Sequence, residues 1–386
     1  MDSISINIAG DLFLGKKIEL IAIDNPDSLF DEKILSLFRN ADFNIINLES
    51  PLTDAGEEYQ ISKSGPFLKA SPSTIGVLNL LNINLVTLAN NHIYDFGDKG
   101  LTDTINLCKS QNISTVGAGS NLSQASEIFL RKIDQITIGV VNITENEWSI
   151  ANADHGGANP IDVVANTRTL HVAKQMADIV ILIVHGGHER FHYPSPRMVD
   201  LYHYYAEEGA TLVIGHHTHC ISGYEVYNGV PIFYGLGNFL FDSLIDFEGW
   251  YEGVLLNIQI NSNKEISWNL LPYQQCKDEL RVELLDDNKK IEVEDEILAI
   301  NKIIADPQKL KLKFNDLIIS QEDFFLSIFS TSNIINLKFF RSVIRRLRFE
   351  KFFLRKEQMK LILNSSRCES LREISNEVIE NFLKAK

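Results

Sequence analysis

The chain has 386 residues, 45% of them hydrophobic and 23% charged, so it is long and apolar enough to bury a large core. Its formal net charge of -15 argues against a nucleic-acid-binding protein, because attraction to phosphate groups needs a basic face. The four cysteines are far apart and form no CxxC pair, which favours reduced thiols over a disulfide framework: Cys108, Cys220, Cys276 and Cys368.

The N-terminal sequence shows neither a secretory signal nor an apolar run close to the ~18 residues that a membrane span needs. Met1 leads almost at once into a short alternating segment, with no basic region before it. We therefore expect a cytoplasmic protein without a transmembrane segment.

The first two predicted strands each lead to a carboxylate. Residues 3–10 alternate apolar and polar side chains and are followed by Asp11. The pattern then predicts a helix over 28–39 and a strand over 43–47, which leads to Glu49. Side chains at the carboxyl ends of strands lie where α/β sheets hold their sites. Each carboxylate can ligate a metal ion, although taken alone Asp11 can equally cap a turn and Glu49 can be an ordinary loop acid.

The third strand leads to a denser cluster of polar side chains. After a helix that begins near residue 71, the run 85–89 predicts a buried strand, and Asn91, His92 and Asp95 follow it. An amide oxygen can ligate a metal ion, and Asp95 is well placed to orient His92 as a proton donor. A helix-capping turn would explain one of these residues and not all of them.

The alternation of strands and helices continues to the clearest buried strand of the chain. After strands over 113–116 and 136–142 and a helix over 160–177, residues 178–184 read DIVILIV and end at His185. This rhythm indicates a layered α/β domain. A lone histidine at a strand end is usually structural, but His185 shares its position with the candidate ligands of the earlier strands.

A fifth strand exit carries three histidines within four residues. The apolar run 211–214 is followed by GHHTH, with His216, His217 and His219. The spacing of His217 and His219 lets two imidazoles converge on one metal ion or on two adjacent ones. A surface loop with merely hydrogen-bonded histidines is the alternative interpretation.

Past residue 242 the pattern changes to antiparallel strands over 253–260 and 267–272, and then to a charged bridge over 278–294. We place a domain boundary in this bridge. It separates a catalytic domain of residues 1–277 from a helical C-terminal region of residues 295–386.

The C-terminal region differs from the rest of the chain in charge. Residues 301–386 carry 17 Lys and Arg against 10 Asp and Glu. Within them, residues 337–363 combine apolar residues at helical spacing with many basic ones. We expect this helix to pack on the protein's own core. The alternatives are peripheral contact with an anionic membrane and docking on an acidic partner protein.

Six blocks of this chain are similar to those of the CapA-type poly-γ-glutamate and capsule biosynthesis proteins, relatives of the calcineurin-like metallophosphoesterases. The blocks are GDLFLG, NLESPLT, ANNHIYDFGDKGL, HGGHE, GHHTH and YGLGNFLFD, within about residues 4–242. The resemblance implies an α/β fold, a four-layer αββα metallophosphatase-like sandwich, to which the C-terminal region adds a helical appendage.

The resemblance also implies a site with two divalent metal ions, such as Mn, Fe or Zn. It assigns one metal to Asn91, His185 and His217, the other to Asp11 and His219, and a bridging role to Glu49. His92 would protonate the leaving group with the help of Asp95. The candidate substrate-binding residues are His188, Glu189, His216 and Asn238, although His188 can equally belong to a solvated face. Ordinary metallophosphoesterases carry a histidine where this chain has Phe13. His216 could supply the metal ligand that Phe13 does not.

The resulting hypothesis is a metal-dependent hydrolase, linked to the biosynthesis of a capsule or a poly-γ-glutamate-type surface polymer. Its substrate would be an anionic small molecule or polymer, and its partners other surface-polymer enzymes, with no nucleic acid. One alternative is an enzyme that forms or cleaves amide bonds in a γ-glutamyl or peptide-like substrate. Another is a non-catalytic assembly factor of a polymer synthase.

Overall fold

The computed structural model describes residues 3–243, 247–329 and 355–384. The strands are β1 (Ser3–Phe13), β2 (Phe43–Leu48), β3 (Leu85–Thr87), β4 (Ser114–Val116), β5 (Ala118–Gly119), β6 (Phe129–Ile133), β7 (Ile136–Thr144), β8 (Gly157–Ala158), β9 (Ile179–His185), β10 (Leu212–His216), β11 (Tyr224–Tyr227), β12 (Val230–Phe233), β13 (Asn238–Phe241), β14 (Glu252–Asn261), β15 (Ile266–Gln275) and β16 (Val282–Leu284). The α-helices are α1 (Lys17–Asp24), α2 (Glu32–Asn40), α3 (Ile75–Leu80), α4 (Gly97–Ser110), α5 (Leu122–Ala125), α6 (Val163–Met176), α7 (Pro196–Glu207), α8 (Asp287–Ile304), α9 (Pro307–Phe329), α10 (Lys356–Arg367) and α11 (Glu369–Lys384). Short 3-10 helices lie at Pro26–Leu29, Glu57–Tyr59, Pro72–Thr74 and Glu248–Tyr251.

Two large sheets organise the described residues. The first has the strand order β16-β15-β14-β1-β2-β3-β4, with β13 paired to β1. The second has the order β11-β12-β10-β9-β7-β6. The central strands β1 to β4 of the first sheet and β7, β9, β10 and β12 of the second are parallel, and antiparallel strands complete the edges.

The two sheets pack face to face, with helices on their outer faces. Strand alternation places Ile45 of the first sheet and Ile181 of the second in one buried cluster between the sheets. The opposite face of the first sheet packs on helices, as Ile46 does with Phe38 of α2. The opposite face of the second sheet packs on α6 and α7. The protein is therefore a four-layer αββα sandwich, as the resemblance implied.

The side chains that face the space between the sheets change from apolar to polar at the carboxyl ends of the strands. On β1, β2 and β3 the polar residues are Asp11, Asn47 and Thr87, which are paired in register. His185 and His216 are paired in the same way at the ends of β9 and β10. Because both sets belong to parallel strands, the polar ends of the two sheets meet at one edge of the sandwich.

The close approach of β13 shapes the end of β1. A Cβ atom on Gly10 would lie 1.9 Å from the carbonyl oxygen of Gly237, so no other residue fits at position 10. The pairings of β1 with β2 and β13 shift register beside Asp11, which marks a β-bulge. Bulges re-aim side chains, and this one lies where β1 delivers its carboxylate.

Helices begin later than the sequence pattern predicts. The segment predicted as one helix over 28–39 splits into a 3-10 helix and α2, because Asp31 caps α2 by accepting a hydrogen bond from the Ile34 backbone N–H at 2.7 Å. Similarly, the helix predicted over 160–177 begins after Asp162, which accepts from the Ala165 N–H at 3.0 Å. Both starts are set by a capping aspartate.

The segment expected to bridge two domains contains β16 and the first half of α8. Val293 and Ile297 of α8 are buried in the inter-sheet core, and Ile300 packs with the second sheet and its helices. The division at 278–294 stays a prediction. Helices α9 to α11 share a smaller core of their own, which includes Phe314 and Ile374.

Most of the predicted helix 337–363 lies outside the described residues, and its end belongs to α10. Among the helices that the structure describes, none is both long and apolar enough to cross a membrane.

Packing of α8 onto the sandwich yields a stability prediction. Ile297 is 3% exposed and Ile291, on the same helix, is 56% exposed. We expect Ile297→Ala to lower the free energy of unfolding by ~2–5 kcal/mol through loss of buried contacts. Ile291→Ala should change it by about 0.5 kcal/mol or less. Urea titration of the full chain measures both values, and equal effects would show that α8 does not pack on the sandwich.

Candidate metal centre

The turn after β10 is held in an unfavourable backbone conformation. His217 and His219 have φ values of 84° and 56°, a region that residues with side chains rarely adopt. The backbone N–H of His217 donates to Asp11 Oδ2 at 3.2 Å, which ties the turn to the end of β1. Such strain clusters at functional sites, where surrounding contacts offset it.

Asp11 is buried among partners that favour its ionised form. Its Oδ1 accepts a hydrogen bond from Asn47 Nδ2 at 2.6 Å and lies 3.5 Å from His216 Nδ1, while its Oδ2 lies 3.4 Å from His219 Nδ1. Burial alone would raise the pKa of Asp11. The hydrogen bond with His219 and the nearby imidazoles outweigh burial and hold the pKa below its ordinary value.

Glu49 is buried in the opposite situation. It is 0% exposed, and neither carboxylate oxygen has a hydrogen-bond partner in the part of the chain that the structure describes. Its Oε1 lies 3.7 Å from His185 Nε2 and 3.6 Å from His219 Nε2. Burial therefore raises the pKa of Glu49 well above its ordinary value.

His185 presents both ring nitrogens to the cluster. Its Nδ1 lies 3.3 Å from Asn47 Nδ2. Its Nε2 lies 3.1 Å from Asn91 Oδ1 and 3.0 Å from His217 Nδ1. The three residues that the resemblance assigns to one metal therefore lie together, with Glu49 beside them.

These residues fit divalent cations. Two overlapping groups place one potential ligand atom per residue within 4.8 Å of one another: Glu49 with His217 and His219, and Asp11 with Glu49 and His185. Carboxylate, imidazole and amide donors suit Zn, Mn and Fe. His216 is also buried, neither of its ring nitrogens has a hydrogen-bond partner among the described residues, and its Nδ1 lies 3.5 Å from Asp11 Oδ1.

His219 holds a proton in this cluster when no cation neutralises it. Burial would lower the pKa of His219, but the carboxylates of Glu49 and Asp11 raise it to about 10. Burial moves the pKa of Glu49 upward as well. A cation that binds the His219 ring must displace its proton.

Beside the cluster, His92 and Asp95 form a hydrogen-bonded pair that Lys63 completes. His92 Nδ1 lies 2.8 Å from Asp95 Oδ2, and the Leu68 backbone N–H donates to the same oxygen at 2.8 Å. Lys63 Nζ forms an ion pair with Asp95 Oδ1 and lies 3.2 Å from His92 Nδ1. Burial, and then the charge of Lys63, lower the pKa of His92.

The remaining predicted residues take different positions. Asn238 is fully buried, and its Oδ1 lies 2.9 Å from His219 Nδ1, so it orients that ring. His188 is buried with its Nε2 3.4 Å from Glu373 of α11. The exposed Glu189 lines, with His188 and His217, a cavity of about 200 Å³ beside the cluster.

Sequence reasoning did not assign a role to Asn47 or to Lys63. Asn47 carried a usable signal, since it lies two residues after Ile45 on the same face of β2. Lys63 lies in an irregular segment 29 residues before His92, and no local pattern connects the two.

Removing a ligand should remove metal without unfolding the protein. We expect His185→Ala and His217→Ala to lose bound metal by elemental analysis, whereas the exposed-histidine variant His171→Ala retains it. Metal at about 100 times its Kd should stabilise the wild type by ~2.7 kcal/mol, and neither site variant should gain this. A full metal complement in either variant would contradict the ligand assignment.

The raised pKa of His219 predicts proton release on metal binding. With a pKa of about 10 this imidazole holds a proton at pH 7 in the cation-free protein, so metal affinity should rise with pH and fall as acid favours the protonated form. Calorimetric titration of the metal in buffers of different ionisation enthalpy measures the released protons. A heat that does not depend on the buffer would contradict the prediction.

Comparison with known proteins gives relatives among capsule proteins. The chain is 32% identical over 253 residues to the PGA biosynthesis protein CapA of Bacillus subtilis (strain 168), a match that covers 64% of this chain and 65% of that protein. It is 29% identical over 258 residues to the capsule biosynthesis protein CapA of Bacillus anthracis, covering 64% and 61%. The chain thus spans less than two thirds of either relative.

Among solved structures, a 5'-nucleotidase precursor from Thermus thermophilus is 9% identical, with a TM-score of 0.41 over 78% of this chain and 58% of that chain. A likeness of this size establishes nothing about activity. The sequence profile of the bacterial capsule synthesis protein family PGA_cap matches residues 5–243, which hold every predicted site residue. This chain belongs to that family.

Proposed function

We propose that this chain is a metal-dependent hydrolase of the phosphoesterase type, which acts in the biosynthesis of a capsule or a poly-γ-glutamate-type surface polymer. The observation that carries the proposal is Glu49, a buried carboxylate that has no hydrogen-bond partner among residues 3–243, 247–329 and 355–384 and lies near the imidazoles of His185 and His219. A buried carboxylate is costly unless it is paired or coordinates a metal. The printed names of the Bacillus relatives support the link to surface polymers.

In this proposal the ligand atoms divide between two cations as the resemblance implies. Asn91, His185 and His217 would hold one cation and Asp11 and His219 the other, with Glu49 available to both. His216 is available as a further nitrogen ligand next to Asp11. Bound divalent cations would supply Lewis acidity toward a phosphoryl oxygen and lower the pKa of a water molecule.

His92 is the proposed proton donor to the leaving group. Because its Nδ1 faces Asp95, its Nε2 is the nitrogen that would deliver the proton. This donation needs the imidazolium form, which burial and Lys63 disfavour and which an anionic substrate beside the ring would favour. Asp95 is fixed in turn by Lys63 and by the backbone N–H of Leu68, which keeps the imidazole in one orientation.

A screen of metal-loaded protein tests the proposal. The screen compares the turnover of generic phosphomonoesters and phosphodiesters with the turnover of γ-glutamyl peptides. Metal-dependent turnover of phosphoesters is the expected result. Turnover confined to γ-glutamyl peptides would establish the amide-cleaving alternative. Tightly bound metal without any turnover would contradict hydrolysis and favour an assembly factor.

The role of His92 gives a separate prediction. We expect His92→Ala to keep the metal and lower turnover by ~10² to 10⁴, the usual contribution of a positioned general acid. His171→Ala, which removes an exposed imidazole on α6, should leave turnover unchanged. Steady-state kinetics with elemental analysis separates the two effects, and undiminished turnover in His92→Ala would remove His92 from the mechanism.

A further inference from the structure

Helices α9 to α11, named here the C-terminal cap, are tied to the loops at the polar edge of the sandwich. Glu145 follows directly after β7 and is 3% exposed. It accepts hydrogen bonds from the backbone N–H of Ser370 at 3.3 Å, from Ser370 Oγ at 2.5 Å and from Arg197 Nη2 at 2.9 Å. The first residues of α11 are therefore anchored beside the candidate metal centre.

A second group of contacts anchors the next turn of α11. Glu373 accepts from Arg197 Nε at 3.1 Å and from Ser195 Oγ at 2.8 Å, and lies 3.4 Å from His188 Nε2. The Glu369 carboxylate accepts from the Asn146 backbone N–H at 2.8 Å. Because several of these charged groups are partly buried, the contacts fix the position of the cap more firmly than exposed ion pairs would.

The cap leaves a small cavity over the site. The cavity measures about 200 Å³; His217 and Glu189 line it from the sandwich, and Leu317, Phe324 and Leu371 line it from the cap. A water molecule occupies about 30 Å³, and sites for drug-sized ligands measure roughly 300–1,000 Å³. The volume therefore suits a compact group.

The candidate ligands are enclosed on a second side as well. The ring of His219 lies 4.7 Å from that of Trp250 and 5.3 Å from that of Phe241, centroid to centroid. His217 and His219 are each only 5% exposed. Within the described residues, the candidate ligands His217 and His219 therefore lie in an enclosed position and not along an open groove.

We propose that the C-terminal cap restricts the metal centre to a compact anionic substrate or to the end of a chain, with Leu317 and Phe324 as residues that determine this specificity. The inference rests on the proposed hydrolase function. The cap lies outside residues 5–243, the part of the chain that matches the family, so this size selection is a property of the additional helices.

Binding of phosphate compounds of two sizes to the metal-loaded full chain tests the inference. We expect inorganic phosphate to bind at least ~10-fold more tightly than 1-naphthylphosphonate, because a rigid pocket discriminates against added bulk by factors of this order. Phe324→Ala should lower the ratio of phosphate affinity to 1-naphthylphosphonate affinity. It should keep the fold, since Phe324 is 49% exposed. Leu317→Ala is the second cap variant, and Ile319→Ala, on the same helix and 66% exposed, is the matched control that should keep the ratio.

A ratio near one in the wild type, or a ratio unchanged in both cap variants, would overturn the inference. Labelling of Cys368 gives a readout that needs neither metal nor turnover, since this thiol lines the cavity. A small methanethiosulfonate should modify Cys368 much faster than a bulky one, and Phe324→Ala should reduce that preference. An equal preference for the small reagent in the wild type and in Phe324→Ala would contradict size selection. Failure of phosphate to bind, together with size-dependent labelling, would contradict the proposed function and leave the cap's role supported.

Discussion

The carboxylate of Glu49 imposes the strongest physical constraint on this site. It is fully buried, both of its oxygens are without hydrogen-bond partners among the described residues, and two imidazole nitrogens lie 3.6 and 3.7 Å from one of them. Leaving a buried charge uncompensated costs several kcal/mol, so the group must hold a proton or face a cation. The surrounding donor atoms are of the kind that divalent metals select, which supports the proposal that a cation is its counterpart.

The fold places this carboxylate among its neighbours through simple strand periodicity. Alternating Ile and Leu side chains fill the space between the sheets, and the polar residues take over where the parallel strands end. Gly10 lets β13 approach β1, and the bulge beside Asp11 redirects the chain at that point. The cap is bound to the loops beside this site through Glu369, Ser370 and Glu373. In the proposed account, the sandwich therefore supplies the ligands and the cap restricts access to them.

The ends of the strands could be predicted from the sequence, because an apolar run that is followed at once by polar residues is a local pattern. That signal located Asp11, Glu49, His185 and the histidine turn, and the structure brings them together. It did not extend to Lys63, which reaches Asp95 from an irregular segment, or to Glu369, which meets Asn146 across 223 positions of the chain. Contacts of that kind depend on tertiary packing and have no periodic pattern of their own.

Anomalous diffraction from crystals of the full chain soaked with Mn or Zn tests the central claim most directly. The account predicts a strong anomalous peak within coordination distance of Glu49, bounded by His185 and His217. It also predicts that the peak is absent from crystals of Glu49→Gln, in which an amide replaces the buried carboxylate. An ordered site with no anomalous peak in the wild type, or an equal peak in Glu49→Gln, would contradict a metal centre built around this residue.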